Sequence, residues 1–145
     1  MSRSVRVHAF LAAATVSRSG LHPTSNLLGV DYWHEVPLDA EFPRVIGQLD
    51  LFTRFYLQNA QPTEFLVAIR WLDSPTRQGR RAVRFGPFAV HFQPHELVHD
   101  HSFRVVNIRL GGVGRYSIRL VREVEPNWQG HRFIWMAETQ FYVQR

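Results

Sequence analysis

Stretch after stretch of this chain alternates apolar and polar residues, and hardly any segment carries the repeat of an amphipathic helix. In Phe65-Leu66-Val67-Ala68-Ile69-Arg70-Trp71, the residues Phe65, Val67, Ile69 and Trp71 share one face, rich in β-branched and aromatic side chains, so this segment is a strand. Residues Leu49 to Leu57 are less one-sided, because Val45, Leu49, Phe52 and Tyr56 also fit a helical stripe. Their Thr, Phe and Tyr content favours a strand.

Further along, Val106, Ile108 and Leu110 alternate with Asn107 and Arg109. Gly111-Gly112-Val113-Gly114 follows, and then Tyr116, Ile118 and Leu120 alternate with Ser117 and Arg119. Two amphipathic strands around a glycine-rich link read as a β-hairpin. Phe133 to Val143 is strand-like on both parities, with Phe133, Trp135, Ala137, Phe141 and Val143 on one side and Ile134, Met136 and Tyr142 on the other. Turn signals at Ser19-Gly20, Asn59 to Pro62, Asp73-Ser74-Pro75 and Glu125 to Gly130 separate the runs. The pattern predicts one antiparallel all-β sandwich over 1–145, immunoglobulin-like or C2-like, with little helix. Val67, Ile69, Ile118 and Trp135 are expected between the sheets, and Arg119 outside.

An opening strand Val7-His8-Ala9-Phe10-Leu11 is followed by Asn26-Leu27-Leu28-Gly29-Val30, a strand ending in glycine. Phe42-Pro43 stands ahead of the middle strands, Gly114-Arg115-Tyr116 precedes another, and Phe141-Tyr142-Val143 closes the chain. In this order of features the chain resembles a family of small uncharacterised bacterial β-sandwich proteins, of the domain-of-unknown-function kind. The resemblance implies a fold and supplies no catalytic residues.

Composition narrows the chemistry. The absence of cysteine rules out disulfides and thiolate metal sites, leaving histidine and carboxylate as the strong ligands. Every one of the 17 basic residues is arginine, and the formal net charge is +5. Such usage follows from a GC-rich genome or from a demand for guanidinium groups, which grip carboxylates and phosphates with two donors. No run is long enough for a membrane helix, and the apolar stretch after Met1 is short for a signal peptide, so a soluble cytoplasmic protein is expected.

Three clusters could carry function. The stretch from His91 to His101 holds half of the eight histidines. In a strand, His99 and His101 project to one face, and His91 or His95 could add a third nitrogen to a metal site. The plain alternative is a histidine-bearing loop leading into a strand, since the later glutamate of a cupin motif is missing. Arg77, Arg80, Arg81 and Arg84, beside Phe85 and Phe88, could follow a nucleic-acid backbone, or simply form a solvated loop. Asp31-Tyr32-Trp33-His34-Glu35 puts acid, imidazole and aromatic rings together without a nucleophile elbow. Gly111 to Gly114 lacks the lysine of a phosphate loop.

The expectation that these residues support is a non-enzymatic binding or assembly module without a cofactor. It would engage a protein partner, or itself, through its loops and a sheet edge, with Trp33, Trp128, Arg70, Arg109 and Arg119 as contact residues. A metal-dependent small-molecule-binding protein or enzyme built on the histidines is the alternative, and a nucleic-acid-binding accessory domain is a further one.

Overall fold

The computed structural model describes residues 4–13, 15–18, 25–28, 33–58, 63–127 and 130–145. Among them are ten strands and no helix, arranged as the all-β sandwich the alternation predicts. In order they are β1 (Ser4–Ala13), β2 (Thr15–Arg18), β3 (Ser25–Leu28), β4 (Trp33–Glu35), β5 (Arg44–Gln58), β6 (Thr63–Trp71), β7 (Val83–Val90), β8 (Val98–Leu110), β9 (Gly114–Asn127) and β10 (Gly130–Gln144). One sheet runs β1-β5-β8 and the other β4-β10-β9-β6-β7, while β2 and β3 form a separate ribbon. Among the described strands only β4 runs parallel to its neighbour, β10.

Large rings from both sheets meet in the middle. Phe55 of β5, Phe65 of β6 and Phe103 of β8 are fully buried, with centroids 5.3 to 6.4 Å apart. Tilted and edge-on contacts at these separations suit the ring quadrupoles, and each ring removes a large apolar area from water. At one end of the sandwich a second stack, Trp71 on Tyr116 on Phe141, runs across β6, β9 and β10.

The pairing of β5 with β8 is marked on its outer face by two ion pairs of opposite sense. Asp50 stands opposite Arg104 and Arg54 opposite Asp100, each guanidinium meeting its carboxylate with two donors. Asp50 is 0% exposed and could not lie there as a charge without such a partner. A slip of one residue would break both pairs and turn the core side chains outward.

Three expectations need correction. The glycine-rich link does not close a hairpin, because β8 and β9 belong to different sheets. Gly111 and Gly112 instead pass beneath the Trp71 indole, where an added Cβ would meet ring carbons at 2.8 and 2.6 Å. Trp71 Nε1 donates to the Val113 carbonyl at 3.1 Å, and the Tyr116 hydroxyl donates to the Gly112 carbonyl at 2.6 Å. These bonds fasten the turn to the larger sheet and leave β8 to pair with β5.

Val106, expected to share a face with Ile108 and Leu110, is 49% exposed. Asn107 has φ of 55°, which breaks the alternation, so Val105 and Ile108 both reach the core. Opposite them Ile46 and Leu49, likewise three residues apart, are both buried, whereas Val45 and Tyr56 of the apparent helical stripe are exposed.

Trp135 is the third correction. A β-bulge between Trp135 and Ala137 reverses the parity of β10, so Ala137 pairs with the core residue Leu120 and Trp135 with Val121 on the outer face. Trp135 is accordingly 57% exposed, while Val67, Ile69 and Ile118 lie buried as expected. Ile118→Ala should cost about 2–5 kcal/mol in urea denaturation, whereas Trp135→Ala should cost about 1 kcal/mol or less. Equal losses would contradict this assignment of faces.

Candidate ligand-binding cleft

The strands β7 and β8 are each the last strand of their own sheet, and they face one another across the sandwich without pairing. On the other side β1 packs against β10. The unclosed side holds a cleft of about 310 Å³, between the ends of β6 and β7, residues 107–109 of β8 and the turn that joins β6 to β7.

That turn is built by its own polar side chains. Ser74 Oγ accepts the Thr76 amide, Thr76 Oγ1 accepts the Gly79 amide, and the Arg80 guanidinium donates to the Ser74 carbonyl. Hydroxyls that satisfy nearby backbone groups in this way are the reason Ser and Thr collect in turns. Asp73 anchors the turn to β9 by accepting both the backbone amide and the guanidinium of Arg115, and that guanidinium holds its carboxyl below the usual range.

The cleft walls are apolar, formed by Ile69, Trp71, Val83, Phe85, Ile108 and the ring of Tyr116, and Gln78, Asn107, Arg81 and Arg109 add polar groups. Tyr116 has already committed its hydroxyl to Gly112. Arg81 and Arg109 differ from Arg54, Arg104 and Arg115, each of which pairs with an aspartate. Among the described residues their guanidiniums have no carboxylate partner. No carboxylate or imidazole lines the cleft among those residues. An apolar recess flanked by two uncompensated guanidiniums suits a ligand with an apolar body and an anionic group.

The remaining candidates fall elsewhere. Arg77 is exposed in the turn, and Arg80 is part of the turn's own bonding. Arg70, Arg84 and Arg119 lie on the outer face of the larger sheet around a hollow of about 190 Å³. Trp33 stacks on Tyr142 with centroids 4.4 Å apart, which fastens the edge strand β4 to β10. Beside it, burial and then Arg44 lower the pKa of His34, and Glu35 accepts a hydrogen bond from Gln144. Trp128, Asp31 and Tyr32 lie outside the described residues.

The histidine-rich stretch is a corner of the fold. Phe92 is buried against Phe55 and His99. Glu96 ties the corner together, accepting the Gln93 amide through one oxygen while the other meets His99 Nδ1 at 2.8 Å. His91 and His95 are exposed, while His99 and His101 stack with centroids 6.0 Å apart. No group of three His or carboxylate side chains among the described residues could hold a metal ion.

No family model, curated protein or solved structure matches the chain. Sequence reasoning named Arg81 and Arg109 for two different roles, and the fold brings them to one cleft. It passed over Trp71, Gln78 and Asn107 as site residues. Asn107 had one signal, a turn-forming residue inside an apolar alternation.

Burial, and then the neighbouring His99, depress the pKa of His101 from 6.5 to about 4. Between those values the unfolded chain binds a proton that the folded chain refuses, so stability falls as the pH falls through that window. Thermal melts from about pH 7 down to about pH 4.5 should therefore show a falling melting temperature, and His101→Gln should flatten the fall. An unchanged slope in the variant would place the pH sensitivity elsewhere.

Proposed function

We propose that the protein is a non-enzymatic binding module that receives an extended, acidic segment of a protein partner along the unclosed side of the sandwich. The observation that carries this reading is the apolar cleft between two sheet edges, with Arg81 and Arg109 in its lining and unpaired among the described residues. An edge strand offers backbone donors and acceptors to an incoming chain, which can pair with it while seating a side chain in a pocket beside the edge. Here the pocket calls for a bulky apolar side chain, and the two guanidiniums for aspartate or glutamate next to it. We propose the cytoplasm as its compartment, where a fold that uses no disulfide loses nothing. No helix among the described residues is long and apolar enough to cross a membrane.

A random peptide library panned against the purified protein tests the reading. Enriched peptides should carry an aromatic or large aliphatic residue beside Asp or Glu, and Arg81→Glu with Arg109→Glu should abolish their binding while leaving the melting temperature nearly unchanged. Enrichment without an acidic bias, or equal binding by the double variant, overturns it. Concentration-dependent dimers that this double variant dissolves would put a second copy of the chain in the cleft and overturn the choice of occupant.

A further inference from the structure

The two outer faces of the sandwich treat their arginines in opposite ways. On the smaller sheet, Arg54 and Arg104 are each neutralised by a facing aspartate. On the larger sheet, Arg70 and Arg84 have no carboxylate partner among the described residues. Aromatic rings hold the guanidiniums there instead: Arg84 lies 4.6 Å from the centroid of Phe133 and Arg119 lies 4.4 Å from that of Trp135. A guanidinium held over a ring by cation–π attraction spends no N–H donor on a carboxylate, so it is positioned without being used up.

Register puts these groups side by side. Ala68 of β6 pairs with Arg84 on one side and with Arg119 on the other, so the two arginines flank a methyl group in one cross-strand row. Ala68, Ala82 and Ser117 are too small to fill the space, which leaves the hollow that Arg70, Arg84 and Arg119 surround. Glu138 accepts the Ser117 hydroxyl and stays 3.6 Å from Arg119 Nε, which is buried with no hydrogen-bond partner among the described residues.

We infer that this hollow binds the phosphate of a nucleotide, with the exposed Trp135 indole taking the base. Three guanidinium-bearing side chains around one hollow match a phosphate, which accepts paired donors and carries more than one charge as a monoester. A ring beside them that keeps most of its surface open adds stacking to every base alike. The ligand is a nucleotide unit, and its source is either a free mononucleotide or a single strand.

Calorimetric titrations with inorganic phosphate, AMP and an oligothymidylate, at two salt concentrations, test the site. AMP should bind about tenfold more tightly than inorganic phosphate, the increment of one stacked base, and Trp135→Ala should abolish that increment. Arg84→Gln with Arg119→Gln should weaken AMP by about tenfold or more, Arg77→Gln should change nothing, and melting curves should show all variants folded. Oligothymidylate tighter than AMP, and weakened by salt, identifies the single strand as the source; the reverse order identifies the free nucleotide. Failure of AMP to saturate the protein, or undiminished binding by the double variant, overturns the inference. Arg81→Glu with Arg109→Glu should leave these titrations unchanged, which separates this result from the fate of the cleft reading.

Discussion

Arg54 with Asp100, and Asp50 with Arg104, face each other four positions apart across β5 and β8, and much of the molecule follows from that alignment. With this register set, Phe55 and Phe103 arrive on the inner face opposite Phe65, and the aromatic core closes between the sheets. The same alignment commits β8 to β5 and denies it to β9, so the chain must arch from one sheet to the other at Gly111 and Gly112. It also leaves β8 as an outer strand opposite β7, which is the condition for a cleft there. Burying Asp50 costs desolvation that only a well-matched partner offsets, so the pair acts more as a selector of register than as a source of stability.

Much of the fold was legible because period-two alternation is a direct record of one buried face. Phe65 to Trp71 and Tyr116 to Leu120 showed their inward residues without ambiguity. Two of the failures share a cause: each sits where one residue breaks the parity. A left-handed Asn107 and a bulge after Trp135 each shift every later side chain to the opposite face, and neither leaves a composition signal strong enough to override the regular count. The glycine link was misread because a tight hairpin and an arch between sheets use the same residue type, and which one forms depends on a tryptophan forty positions earlier.

The site was legible only as ingredients. Arginine was an obvious feature of the chain, but sequence does not say which guanidiniums meet an aspartate, which lie on a ring and which stay open. That sorting is done by strand register, and it turns a uniform excess of positive charge into two neutralised pairs on one face and open donors on the other and in the cleft. The histidines show the converse. Their density invited a metal, yet His101 packs on Phe103, His99 meets Glu96, and His91 and His95 are exposed.

The Trp71 ring lies so close over Gly111 and Gly112 that these three positions cannot vary one at a time. Chains descended from a common ancestor with this one would keep two glycines wherever the indole is kept, and would accept side chains at the arch only where residue 71 has become smaller. The same ring is a wall of the cleft, so a lineage that fills the arch also enlarges the pocket. Inheritance at the arch and the shape of what the cleft admits would then change together, as one coupled trait.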